Sequence, residues 1–431
     1  MLVWLVNPFD PIPGEEEQLR RYAYLAASLR EAGHRVVWWS SDFSHRFKRP
    51  VDKTAVDRAA KALGIVVRLI PTPPYPRNLA PQRLWSHRVL ARRFLAAATA
   101  ESERPDVILA SSPPLELAAT ATRLGRDWRV PSVIDIQDQW PDNFVHAVPA
   151  VPRWFMRTAL QPLYRLERAA YRNASAVVGV ARGYVERGLA VGGTKKHHAV
   201  FHLGADSREL QRLMSSGASR YADKWAKEPG EIRFIYSGSF TKSYDLYTIL
   251  SAAKQICLRH GTKIRFVLAG AGILAPEIKA HVEREGLTNV CLPGFLGPAE
   301  HAYLLSQCDV GFNASFPEAM IYFPNKIFFY LAAGMAVLNT IPGECADFVT
   351  ESGCGLNYTA GDVTSCAAAI ERMIESPQER GSMRAAALAV ARTRFERDLV
   401  YRSFARFLET VGAEGRVGER PSADTASLPG A

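Results

Sequence analysis

"IRFIYSGSFTKSYDL", residues 232–246, is a β-rich apolar run that meets Gly238 and passes into a polar turn and a helical pattern. A strand that ends in a glycine turn and opens a helix is half of a βαβ unit. Here the chain begins such units for a second time. Downstream, "IRFVLAGAG" (264–272), "NVCLPGF" (289–295), "CDVGFNAS" (308–315) and "MAVLNTI" (335–341) repeat the pattern. Upstream lie "LVWLVNP" (2–8), "HRVVWWS" (34–40), "IVVRLIP" (65–71), "PDVILASSPP" (105–114), "PSVIDIQD" (131–138) and "ASAVVGVA" (174–181), most of them separated by helix-length segments. Short β-rich runs between helices imply parallel sheets covered on both faces. The fold class is therefore α/β, with two doubly wound Rossmann-like domains facing a cleft. The boundary falls near "FHLGAD" (201–206), giving domains 1–205 and 206–395. A helix over 396–412 is expected to pack back on the first domain, and the polar residues 413–431 to be a disordered tail.

At 431 residues and 48% hydrophobic content, the chain is long enough for two domains of ordinary size. Its longest apolar stretches, such as "MLVWLV" and "IFFYLAAGMAVL", fall short of the ~18–20 residues that cross a bilayer. The first residues carry no basic leader and read as a strand. Cys257, Cys291, Cys308, Cys345, Cys354 and Cys366 form no CxxC pair, so reduced thiols in the cytoplasm are expected, without a structural zinc. The charge is uneven. Residues 1–205 hold 29 Lys and Arg against 18 Asp and Glu, a net of +11, and residues 206–431 hold 24 against 25, a net of −1. The densest basic part, "RNLAPQRLWSHRVLARRFL", interleaves Trp85 and Phe94 with Arg88, Arg92 and Arg93. That mixture suits an anionic membrane surface or a lipid-phosphate substrate, and an ordinary solvated face remains open. No recognition-helix, RRM or KH signature supports a nucleic-acid partner.

Two such domains place ligands at the carboxyl ends of their strands. Gly238 allows close backbone approach after one strand, Lys242 follows it, and Gly270 opens the next turn; neither turn is a GxGxxG fingerprint. In "FPEAMIYFPNKIFFYLAAGMAVLNT" (316–340), Pro324 presets a helix start, Asn325 is expected to cap it and Gly334 to end it. Lys326 at the positive end of that helix suits a bound anion. The alternative is a solvated lysine on a core helix.

"SGSFTKSYDLYTILSAAKQI", "IRFVLAGAGILAPEIKAHVEREGLTNVCLPGFL", "LLSQCDVGFNAS" and "FPNKIFFYLAAGMAVL" resemble the nucleotide-sugar domain of the family 4 glycosyltransferases of the GT-B fold. "AASLREAGHRVVWWSSDFSHRFKR" and "ILASSPPLELAATATRLGRDWRVPSVIDIQDQWPD" are similar in the first half. The branch resembled builds bacterial O-antigens and other surface polysaccharides, fucosamine-transferring enzymes included. The resemblance implies that Lys326, with Asn325 and the backbone of that turn, holds the donor diphosphate and stabilises the leaving nucleotide. It assigns Gly238, Ser239 and Lys242 to a second phosphate-facing turn, and Phe295 to the base. Asp138 takes an acidic, catalytic position on the first domain, and Gly14 and Arg21 an acceptor-side loop.

Departures accompany it. Phe329 stands where the family carries a ribose-binding carboxylate, and Glu318 is nearby at another spacing. Ser239 replaces a common arginine. Gly14 stands alone, before Glu15, Glu16 and Glu17, where paired glycines are usual. The implied reaction is retaining transfer without a protein nucleophile. The donor is a nucleotide sugar, with UDP favoured, and no cofactor and no metal are expected because no DxD motif appears. A lipid-linked or soluble glycan is the implied acceptor, at the inner face of the cell membrane. A nucleotide-sugar 2-epimerase and a catalytically silent nucleotide-sugar-binding subunit remain as alternatives.

Overall fold

The structure, a computed structural model, describes residues 1–16, 20–78, 80–147 and 151–417. Its chain divides into two compact units. The first takes the described residues of 1–180, 184–201 and 401–417, and the second takes 181–183 and 202–400.

The first unit is built on seven parallel strands, β1 (Leu2–Val6), β2 (Arg35–Ser41), β3 (Val66–Ile70), β4 (Val107–Ser112), β5 (Ser132–Ile136), β6 (Ala176–Gly179) and β7 (His197–Val200). They lie in the order β3-β2-β1-β4-β5-β6-β7. All residues of β1, β4 and β5 are buried, as a strand covered on both faces requires. Trp4 anchors the centre, edge-on to Trp39 at 5.1 Å and to Trp128 at 5.8 Å between centroids. Phe94, read above as part of an interfacial mixture, is instead fully buried against Trp39. A side chain committed to the core cannot enter a bilayer.

The second unit repeats the plan with β8 (Ile232–Ser237), β9 (Ile264–Ala269), β10 (Val290–Gly294), β11 (Val310–Asn313), β12 (Ala336–Asn339) and β13 (Gly355–Asn357), in the order β10-β9-β8-β11-β12-β13. Phe234 and Phe266 stack at 5.1 Å on adjacent strands, with Phe312 behind them. The strand order reverses between β8 and β11. Crevices open at such a point, outside the carboxyl ends of the strands.

The last helix runs Arg397–Val417, so residues 413–417, expected in a disordered tail, continue it. Residues 418–431 of that tail, like Glu17, lie outside the described residues. Within the first unit this helix stacks Tyr401 on Tyr24 and Phe404 on Phe201, the latter at 4.4 Å. Glu409 accepts from His34 at 2.7 Å.

Arg21, expected on an acceptor loop, is a core residue. Its guanidinium is bidentate on the buried Asp135 at 2.8 and 3.0 Å, donates to the Phe201 carbonyl at 2.7 Å and lies over the Phe404 ring. Three of its five N–H donors serve the fold, and burial closes the rest of the guanidinium to an acceptor. Gly14 has φ +95°, and a Cβ there would stand 2.6 Å from the Ala55 carbonyl oxygen, so the loop is pressed onto the helix Lys53–Leu63. Of the carboxylates that follow, Glu15 turns back to accept from the Ile12 N–H at 2.8 Å. Glu16 is held by Arg20 and Arg46.

Candidate functional site

Three turns at the carboxyl ends of β8, β9 and β10 form one continuous floor. The Gly238 N–H donates to the Ala269 carbonyl at 3.0 Å, the Gly270 N–H to the Gly294 carbonyl at 2.8 Å, and the Phe240 N–H to the Ala271 carbonyl at 2.8 Å. The turns touch so closely that a Cβ on Gly270 would fall 1.8 Å from the Gly238 oxygen. No residue but glycine fits. Above this floor is a cavity of about 300 Å³, lined by Ser237–Ser239, Ala269–Ala271, Phe295, Leu296 and His301. Phe295 is 83% exposed at its rim. A large ring left in water beside a cavity offers a platform for a flat ligand. His301 meets the Ser237 Oγ at 2.6 Å, and burial pushes its imidazole down to about 4, so it is neutral at physiological pH.

Lys326 sits behind the first turn. Its Nζ lies 3.9 Å from the Tyr236 ring centroid and 4.0 Å from that of Tyr244. Tyr236 is itself fixed, donating its hydroxyl to the Ser239 carbonyl at 2.9 Å. Two aromatic faces attract a cation but supply no hydrogen-bond acceptor. The Nζ is buried with no hydrogen-bond partner, and burial pushes the ammonium well down toward the neutral amine. A Cβ on Gly238 would stand 3.2 Å from that Nζ, which places the charge directly under the glycine turn. The neighbouring Asn325 Oδ1 is also buried and unpartnered. Asn325 was expected to cap the helix; it already has helical φ and ψ (−60°, −30°) and makes no side-chain cap. A residue wound into the helix cannot turn its amide back onto the N–H groups above it. Buried polar atoms without partners are rare, and two on adjacent residues mark a place where something polar is to be received.

The other sequence candidates are spread out. Lys242 and Ser239 are exposed on the turn after β8, and Ser239 alone of the two lines the cavity. Glu318 is exposed on a short turn, Pro317–Ala319. Phe329 is half-buried, whereas its neighbour Phe328 is the core residue. Asp138, on the first unit, accepts from the Gln139 N–H at 2.9 Å and from Asn143, and burial raises its carboxyl. Trp85, Arg88 and Arg92 are exposed along one stripe of the helix Pro81–Ala100, while Arg93 donates to the Pro71 carbonyl at 2.7 Å. Among the described residues, no group of His, Cys, Asp or Glu is placed to hold a metal ion, and no helix is long and apolar enough to cross a membrane. Sequence reasoning missed His301 and the Tyr236–Tyr244 pair. A lone histidine after Pro298, and tyrosines among many aromatics, carry no spacing signal.

Two family models match consecutive parts of the chain: a glycosyl transferase 4-like domain over residues 19–204 and glycosyl transferases group 1 over residues 231–376. Together they span most of it. The chain belongs to the family 4 glycosyltransferases of the GT-B fold. The group 1 match contains all three glycine turns, His301 and Lys326, and the 4-like match contains Asp138. Among curated relatives, the probable glycosyltransferase WbjE of Pseudomonas aeruginosa is 25% identical over 292 residues, 65% of this chain and 69% of that protein. The O-antigen chain mannosyltransferase C of Escherichia coli is 22% identical over 150 residues, 35% of this chain and 38% of that protein. The fold is shared with Anabaena Alr3699/HepE, solved in complex with UDP, at a TM-score of 0.66 and 18% identity over 95% of this chain and 99% of that one. It is shared with WaaG, a glycosyltransferase involved in lipopolysaccharide biosynthesis, at a TM-score of 0.65 and 11% identity over 95% and 99%.

Proposed function

We propose that this glycosyltransferase takes a nucleotide sugar, with UDP as the nucleotide, and passes the sugar to a lipid-linked glycan of a bacterial surface polysaccharide. The observation that carries the reading is the buried, unpartnered Lys326 Nζ under the Gly238 turn. A diphosphate against that turn supplies the anion that the two tyrosine rings do not. The Asn325 amide nitrogen and the Ser239 N–H, which the floor does not use, add donors, and Phe295 at the cavity rim carries the base. The UDP in the HepE complex and the O-antigen chain in the name of the E. coli relative support the substrate classes. The net +11 of residues 1–205 supports an acceptor presented at the cytoplasmic face of a membrane, with the protein peripheral to it.

In the reaction, an acceptor hydroxyl attacks the anomeric carbon as the bond from that carbon to the phosphate oxygen breaks. The hydroxyl proton passes to the departing phosphate, and the sugar goes through an oxocarbenium-like state with retention. Negative charge grows on the diphosphate in this step, so a preorganised cation beneath it stabilises the transition state more than the ground state. Lysine charge serves here in place of a metal ion. The half-buried Phe329, at the family's carboxylate position, favours one second reading, a subunit that binds the nucleotide sugar without turning it over.

Incubation with a panel of UDP-, GDP- and dTDP-sugars, with and without a lipid-linked acceptor and with and without EDTA, tests the proposal by release of nucleoside diphosphate. Acceptor-dependent, EDTA-insensitive release is expected, and Lys326→Ala is expected to cut it by roughly 10²–10³. Binding without release favours the silent subunit. Full activity in Lys326→Ala contradicts the diphosphate assignment.

A further inference from the structure

The helix Arg153–Ala159, of sequence RWFMRTA, keeps none of its seven residues buried. Trp154 is 71% exposed and Phe155 53%. A two-turn helix is unstable alone in water, and surface helices ordinarily hold their place through a buried apolar stripe. The helix Pro81–Ala100 does so, burying Leu90, Ala91, Phe94 and Ala98. It needs no further partner. The short helix has no such footing, yet it presents two large aromatic side chains to solvent.

Its charge says what covers it. From Val151 to Arg172 the chain carries five arginines, at 153, 157, 165, 168 and 172, against the single carboxylate of Glu167. Glu167 is buried and accepts from the Arg187 Nε at 2.7 Å, so its ion pair is made with none of the five. Arg157 and Arg168 line a cavity of about 310 Å³ whose third arginine, Arg187, is held by Asp142 and Glu167. Among the described residues, neither Arg157 nor Arg168 forms an ion pair. A second copy of the chain is a poor occupant, because a twofold contact would set these arginines against themselves. Free phosphate would meet the arginines and leave the aromatic rings in water. An anionic bilayer satisfies both: rings settle at the boundary of headgroups and acyl chains, and arginines meet the lipid phosphates.

We propose that Arg153–Ala159 is an interfacial anchor that seats the first unit on an anionic lipid bilayer through Trp154, Phe155 and the flanking arginines. The anchor deepens the proposed function, resting on it only for the lipid-borne acceptor. It also moves the contact away from Trp85, Arg88 and Arg92, which ride on a helix already seated in its core.

The test is co-sedimentation of the full chain with vesicles of phosphatidylcholine, and of phosphatidylcholine mixed with phosphatidylglycerol, at low and high salt, with a UDP titration in parallel. Binding to the anionic vesicles at low salt is expected, with weakening as salt rises. Trp154→Ser with Phe155→Ser is expected to lower the bound fraction roughly tenfold. The melting temperature should not move, since neither side chain is buried. Trp85→Ser is expected to leave the bound fraction within about twofold of wild type. Wild-type protein that binds UDP but not anionic vesicles overturns the anchor while leaving the donor reading intact. Vesicle binding unchanged in the double variant, or a wild-type dimer that the double variant dissociates, also overturns it.

Discussion

Lys326 concentrates the account in one ammonium group. Most buried lysines find a carboxylate, and this one has two tyrosine rings and a glycine turn. Burial holds its folded-state value well below the 10.5 of an unfolded chain. Between that lowered value and about 10.5 the unfolded state therefore binds more protons at this residue than the folded state, and unliganded stability rises with pH. From neutrality to about pH 9.5, below the range in which tyrosines titrate, urea midpoints are expected to climb with pH. Lys326→Met keeps the packing and removes the charge, so its curve should start higher and run flatter. An equal slope in both proteins would mean that the amine is solvated after all. That a lysine at this position meets an anion was legible from the turn and the family likeness. Its aromatic enclosure was not, because Tyr236 on β8 and Tyr244 in the turn after it come some eighty to ninety residues earlier, and only strand order brings them beside Lys326. Arg21 shows the converse. The family likeness puts this arginine on an acceptor-side loop, until the sheet sets Asp135 beside it.

Among the elements, the three stacked turns do what no single helix start does. The helix behind Lys326 is only seven residues long, so its dipole is a minor contributor. The floor instead comes from turns packed backbone to backbone, which makes Gly270 intolerant of a side chain. Gly270→Ala is expected to lose about 2–4 kcal/mol and to abolish UDP binding, since the 1.8 Å approach forces the Gly238 turn aside. Gly381 is the matched contrast. It lies inside the helix Pro377–Arg394 with open space where a Cβ would go, so Gly381→Ala is expected to stabilise by about 0.5–1 kcal/mol. Thermal melts with a UDP shift read both, and a neutral Gly270→Ala would contradict the packed floor. Glycines after strands were legible as turns. Their mutual contact was not, since it depends on which strands are neighbours. The two edge strands His197–Val200 and Gly355–Asn357 escaped for a simpler reason: they are short and polar, without the apolar run that betrays a central strand.

Across the whole molecule, both sheets were legible because a strand covered on two faces must be apolar throughout, and that signal survives in sequence. The return of the last helix to the first domain was expected too, though not the side chains through which it packs. From Tyr401 it belongs to the first unit, which it completes through Phe404, fully buried and stacked on Phe201 beside Arg21. Phe404→Ala is expected to cost about 3–5 kcal/mol and to unfold the first unit at a lower temperature than the second. A single unshifted transition in differential scanning calorimetry would contradict that. The molecule as a whole is a glycosyltransferase, and the proposal that it uses a nucleotide sugar stands or falls on the second unit holding a diphosphate over Lys326. Calorimetric titration of UDP into wild-type protein and Lys326→Met, each in two buffers of different ionisation enthalpy, tests this most directly. The account predicts that wild type binds UDP with uptake of a proton, as the diphosphate restores the ammonium, and that Lys326→Met binds roughly a hundredfold more weakly without it. Equal affinities, or binding with no proton exchange in either protein, would contradict it.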